Sequence, residues 1–229
     1  MTLTSGRGPF STDPAGRFNQ ELRPDLVYVE PFYRRVRAVL HGATVLDSEQ
    51  VLLVHRTGQP PAYAFPANDV TGVASVAEPA AAGYVSVAWA AVEAWFEEEE
   101  EVFLHPRNPY HRVDCVRTTR HLRVEWDDTV LVDTSDTLGV YETALAPLLY
   151  VDPARVTPGL LTPSTTTTYC PYKGTASYWT ATVGGRSLTD VAWSYEAPYE
   201  QCAVLRGLLG FDASKVRVIA TLPHMPMGA

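Results

Sequence analysis

The sequence predicts a mainly β chain made of two small tandem domains, each with one short helix. Three observations point there. Apolar residues alternate with a period of two between turn-forming pairs, the same outline returns 86 residues later, and helical spacing is confined to two short stretches.

Residues 1–30 are rich in Gly, Pro, Arg and Asp without a sustained period, and read as an irregular arm laid on the body through Phe10, Phe18 and Tyr28. The first domain is placed at 31–118. In it Val36, Ala38 and Leu40 alternate, His41-Gly42 turns the chain, and Thr44 to Leu46 return as the second strand of a hairpin. The second domain, 119–229, repeats the outline: Leu122, Val124 and Trp126 share one face, Asp127-Asp128 form the turn, and Val130 to Val132 return. The constant offset pairs Arg37 with Arg123, Asp47 with Asp133, Thr57 with Thr143, Pro61 with Pro147, Val70 with Val156 and Thr71 with Thr157. Turn and apolar register coincide as well, as two copies of one β unit require. Tyr178 to Val183 read as a strand returning through Gly184-Gly185.

One helix is expected where Pro198 and Glu200 suit a first turn and Cys202, Leu205 and Leu209 share a face before Gly210. The other is expected where Trp89, Val92 and Trp95 or Phe96 are spaced helically, with the acidic run Glu97 to Glu101 as its solvated end.

Composition narrows the function. The 229 residues are 46% hydrophobic and 19% charged, which fits a folded globular chain rather than a disordered one. A formal charge of -8 leaves little cation to replace phosphate counterions, so nucleic acid is not an expected partner. Apolar runs stop well short of the roughly 20 residues of a membrane span, and the first residues lack the order of a secretory signal. The expectation is a soluble cytoplasmic protein, monomer or homodimer. Cys115, Cys170 and Cys202 lie far apart with no Cys-x-x-Cys pair, so neither a disulfide framework nor a zinc site is expected, and no cofactor is implied.

The stretch from Thr168 through Cys170-Pro171-Tyr172-Lys173-Gly174 to Trp179, followed by Ala192-Trp193-Ser194-Tyr195, resembles the bacterial and fungal family catalogued as domain of unknown function 427. Val29-Glu30-Pro31, Arg34 to Val39, Glu93 to Glu97 and His105 to Asp114 look like the N-terminal half of tandem members of that family. The resemblance implies a β-tent-like domain present twice, and it brings a nucleotidyltransferase-like label. Against that label, no pair of metal-binding carboxylates stands beside a Gly-Ser phosphate turn at a predicted strand end. The chain departs from the family in Glu196-Ala197-Pro198, and the first copy lacks the Cys-Pro-Tyr-Lys-Gly motif.

Two lysines stand against sixteen arginines, so an ammonium at Lys173, flanked by Tyr172 and Gly174, is singled out. Partly desolvated, it would serve as general acid or anion ligand; read structurally, its stem packs on an aromatic ring with its head in water. Cys170 beside it is a candidate nucleophile or a core thiol, and Cys115 and Cys202 read as core. In the segment 105–114, Arg107 and Arg112 would clamp a carboxylate or phosphate, His111 would exchange a proton, and His105 and Tyr110 would contact the ligand. The alternative is a polar seam in which these arginines pair with Glu97 to Glu101 or Asp114. Trp179, Trp193 and Tyr195 are the candidate apolar wall, or simply core.

The expected function is a protein that binds a small anionic or carbonyl-containing molecule without a metal, in a pocket of the second copy or between the copies. As an enzyme it would use Lys173, Tyr172, His111 and Cys170 for acid-base or nucleophilic work. The alternatives are a non-catalytic module whose aromatic cage captures a metabolite or peptide, and nucleotidyl transfer.

Overall fold

The computed structural model describes residues 3–21, 23 and 25–222; positions 1, 2, 22 and 24 of the arm and the stretch 223–229 lie outside the described residues. The fold is mainly β, all its strand pairs are antiparallel, and the chain divides into two compact units, Met1–His111 and Arg112–Ala229.

In the first unit the strands are β1 (Val27–Phe32), β2 (Val36–Leu40), β3 (Ala43–Ser48), β4 (Val51–Arg56), β5 (Ala62–Pro66), β6 (Ser75–Ala77), β7 (Tyr84–Val87), β8 (Ala94–Glu97) and β9 (Glu100–Val102). They form two sheets, ordered β1-β4-β5-β7-β6 and β3-β2-β8-β9. Alternation puts Val36 and Ala38 of β2 into the core beside Leu53, Tyr63, Phe65 and Trp95. His41 and Gly42 both have positive φ, 53° and 72°, the backbone a two-residue hairpin turn needs. Among its described residues the arm carries no strand before Val27, yet it is fastened to the turn after β4: Gly58 N donates to Thr4 O at 2.6 Å and Thr4 Oγ1 to Gln59 O at 3.0 Å.

In the second unit the strands are β10 (Val113–Thr118), β11 (Leu122–Trp126), β12 (Thr129–Thr134), β13 (Thr137–Glu142), β14 (Leu148–Tyr150), β15 (Leu161–Cys170), β16 (Gly174–Val183), β17 (Arg186–Ser194), β18 (Gly210–Phe211) and β19 (Arg217–Ala220). Three sheets result, ordered β10-β13-β14, β12-β11-β19 and β15-β16-β17-β18. One core gathers Leu122, Val124, Leu131, Val191 and Leu209; a second gathers Val140, Tyr150, Tyr172, Tyr195, Cys202 and Leu205. The segment 113–118, read from sequence as the end of the first domain, pairs along its length with β13 and belongs here.

The limits of β1 to β4 and of β10 to β13 differ by 86 at both ends. The two sets also agree in pairing: β1 runs against β4 as β10 does against β13, a bulge follows Ala38 and Val124, and single bridges join Leu46 to Val70 and Val132 to Val156. The burial patterns of β2 and β11 are identical. Divergence begins after β5 and β14, where strands of three and four residues (β6, β7) stand against strands of ten (β15, β16). One feature has a counterpart of opposite sign. At the end of β4, Arg56 pairs with buried Glu78 in the β6–β7 turn; at the end of β13, 86 positions on, Glu142 pairs with buried Lys173 in the β15–β16 turn.

Both helical segments are shorter than their spacing predicts. Trp89–Ala91 is a single 3₁₀ turn, after which Trp95 enters the core from β8 with its Nε1 donating to Trp89 O at 3.0 Å. Glu200–Leu205 is 3₁₀ and broken at Cys202 (φ −119°, ψ 17°), while Leu209 leaves it to bridge Val151. The acidic run is no helix end: it turns β8 into β9 through Glu98 at φ 53°, with Glu97 buried against Tyr63 OH at 2.5 Å and paired with Arg34.

Candidate functional site

Lys173 sits in the three-residue turn between β15 and β16, tied by its own N–H to Cys170 O at 3.3 Å and by its carbonyl to Tyr199 N at 3.3 Å. Gly174 follows at φ +98°, where an added Cβ would lie 3.3 Å from Ala197 O, so the motif's glycine answers both backbone conformation and close approach. The ammonium is ion-paired with Glu142, the two side chains being 9% and 10% exposed, and it lies 5.9 Å from the centroid of buried Tyr195. A buried ammonium so paired is a charge locked in place rather than one offered to solvent.

Tyr172 is buried, and its carbonyl accepts from Gln201 Nε2 at 3.0 Å and Cys202 Sγ at 3.6 Å. The fold gathers all three cysteines, far apart in the chain, on the core that holds Tyr172 and Tyr195. Burial pushes the Cys202 thiol up to about 12, and Cys115 beside it adds to the shift; burial likewise raises Cys115. A thiol so held is not a nucleophile at neutral pH. Iodoacetamide at pH 8 should therefore leave Cys202 unmodified in the folded protein and alkylate it in urea, as peptide mass mapping would read; fast native labelling at Cys202 would contradict this environment.

The candidate aromatic wall separates into two groups. Trp193 stands opposite Tyr178 across β16–β17, donates from Nε1 to Tyr150 OH at 2.7 Å, and packs on the same core as Tyr195. Trp179, one residue along β16 from Tyr178, points to the other face, packs against the Leu122 core and donates to Ser194 Oγ at 3.1 Å. It lines a small cavity of ≈ 130 Å³ with Pro153, Val156 and Leu161, away from the Tyr195 core.

The segment 103–112 is irregular, as its prolines dictate. Arg107 Nη1 donates to Glu100 Oε2 at 3.2 Å and Arg112 Nε to Asp114 Oδ1 at 2.6 Å, so each guanidinium has a carboxylate from its own unit. His105 Nδ1 lies 2.7 Å from Pro106 O, and burial lowers its pKa. His111 N closes a turn onto Asn108 O at 3.1 Å. Tyr110 reaches a constellation that the sequence did not reveal.

That constellation lies on β1 and β4 of the first unit. Tyr28 and Glu30, two residues apart, share a face of β1, and Tyr28 stands directly opposite His55 of β4, which brings His55 diagonally onto Glu30. His55 Nε2 is 2.9 Å from Glu30 Oε1; Tyr110 OH donates to Glu30 Oε2 at 2.6 Å, and Tyr28 OH lies 3.4 Å from both Glu30 Oε2 and Tyr110 OH. The hydrogen bond to Glu30, with that to Tyr28, holds the Tyr110 phenol well above its ordinary pKa, so it remains a donor. His55 is 0% exposed, and its Nδ1 has no hydrogen-bond partner among the described residues. Together with Leu3, Thr4, Phe10, Leu26, Val27, Tyr28 and Tyr110 it lines a pocket of ≈ 280 Å³ whose other walls are largely apolar. The sequence signal was slight: one histidine ending the apolar run Val51 to Val54, and a Tyr-x-Glu spacing on the preceding strand.

Among the described residues no group of three or more His, Cys, Asp and Glu side chains is placed to hold a metal ion, and no helix is long and apolar enough to cross a membrane. No curated protein matches the chain. Residues 114–221, nearly the whole of the second unit, match the model of one family, described as a domain of unknown function (DUF427).

Proposed function

We propose that this protein binds a small organic molecule in the pocket on β1 and β4, with the Glu30–His55 pair as its polar anchor and acid-base element and without need of a metal. One observation carries the reading: the His55 side chain is fully buried, lines a largely apolar pocket, and has a ring nitrogen without a partner among the described residues. Leaving a buried polar atom unsatisfied costs about 1–3 kcal/mol, and native proteins keep few such atoms. A ligand that bonds to Nδ1 explains why this one is kept.

We also read the chain as two copies of one β unit, on the strength of the 86-residue offset in strand limits, pairings and bulge. In this reading the copies have divided their work. The first holds the ligand. In the second, Lys173 and Glu142 fasten a long hairpin to the end of β13, while Tyr172 and Cys170 belong to the packing around them.

Phenol and toluene are suitable probes, because an apolar cavity on the order of 150 Å³ already admits benzene. Titrated to their solubility limits, at least one should shift the ring resonances of Tyr28, His55 and Tyr110 saturably. Val27→Trp, which grows a ring from the pocket wall, should abolish those shifts. Absence of any saturable shift with both probes overturns the reading.

A further inference from the structure

The geometry points to a particular ligand class: a neutral, one-ring or similarly small apolar molecule carrying a hydroxyl, which donates its hydrogen bond to His55 Nδ1. The inference rests on the proposed pocket and adds the direction of the bond inside it.

Glu30 sets that direction for a ring carrying one proton. Its Oε2 accepts from Tyr110 OH at 2.6 Å and its Oε1 faces His55 Nε2 at 2.9 Å. A carboxylate that already accepts from Tyr110 accepts from the ring as well, so a singly protonated imidazole carries its hydrogen on Nε2 and keeps a lone pair on Nδ1. The other polar side chains of the lining bond elsewhere: Thr4 Oγ1 donates to Gln59 O, and the Tyr28 and Tyr110 hydroxyls donate to Glu30. The ring is flanked by the tilted rings of Tyr28 at 5.6 Å and Tyr110 at 5.9 Å between centroids, which line the same pocket. An anion brought there would face the Glu30 carboxylate and a ring nitrogen with no hydrogen to offer. A hydroxyl on a hydrocarbon frame meets an acceptor and an apolar wall together.

The test compares phenol, toluene and benzoate at pH 8. Phenol should bind at least about tenfold tighter than toluene, as one good hydrogen bond to a buried acceptor allows, and benzoate should bind weakest. In His55→Phe the preference for phenol over toluene should vanish. The unsubstituted protein gives a second readout: ¹⁵N NMR should show the His55 ring protonated at Nε2 and bare at Nδ1, with Nδ1 moving upfield as phenol is added. Equal affinities for phenol and toluene, a phenol preference that persists in His55→Phe, or a proton on Nδ1 in the free protein would each overturn the inference while leaving the pocket standing. Failure of both phenol and toluene to bind would instead remove the pocket itself.

Discussion

Replacing Lys173 with methionine should destabilise the protein by about 3–5 kcal/mol, because it takes the ammonium from the Glu142 carboxylate in a site where only a tenth of that side chain meets water. Methionine keeps most of the stem's volume, so the loss isolates the charge. The accompanying change Glu142→Leu should recover most of it, since a buried ion pair is often replaceable by apolar residues of similar size at little net cost. Urea denaturation of the two single variants and the double variant gives the three free energies. The distinguishing pattern is a double variant more stable than either single one. A Lys173→Met protein as stable as its parent would show the ammonium to be free of structural duty, and would return it to the list of candidate reactive groups.

Trp95→Ala should cost a similar amount, about 3–5 kcal/mol, in the first unit. The indole is 3% exposed, stacks on Trp89 at 5.1 Å and on Phe65 at 6.1 Å, and contacts Tyr63 at 5.8 Å. Its removal opens a void among rings too stiff to fill it, and leaves the Trp89 carbonyl without the Nε1 donor. Trp95→Phe should lose distinctly less, since it keeps a ring in the stack and forfeits mainly the hydrogen bond and part of the area. Denaturant midpoints of the two variants decide it. A loss under 1 kcal/mol for the alanine variant would mean that the neighbouring rings close the gap.

The hairpins at 36–48 and 122–134 were legible because two independent signals coincide there, alternation within the strands and a turn pair between them. Helical spacing misleads here for a reason specific to aromatic-rich segments. Trp89, Val92 and Trp95 are spaced by three whether they lie on one helix or, as here, in a 3₁₀ turn followed by a strand, and only the tertiary stack of Trp89 on Trp95 separates the cases. Lys173 drew notice by its rarity, but its partner Glu142 lies 31 residues upstream and nothing in its local sequence marks it as buried. His55 was invisible for a related reason. A histidine among Val and Leu reads as a core residue, and its role depends on Glu30 and Tyr110, which lie 25 and 80 residues away from it and from Glu30 respectively. Spacing patterns reveal what recurs; a site built once from three distant segments leaves no period to detect.

The opposite polarity of the two buried ion pairs bears on how such a chain avoids tangling. Segments of matching register invite the wrong hairpin to dock on the wrong strand during folding, a characteristic failure of self-similar chains. Exchanged here, the partners would set Arg56 against Lys173 and Glu78 against Glu142, bringing like charges together where Lys173, Glu78 and Glu142 are largely withdrawn from water. Each turn thus carries the sign that matches its own strand end, and an exchanged pairing is disfavoured by like-charge contact.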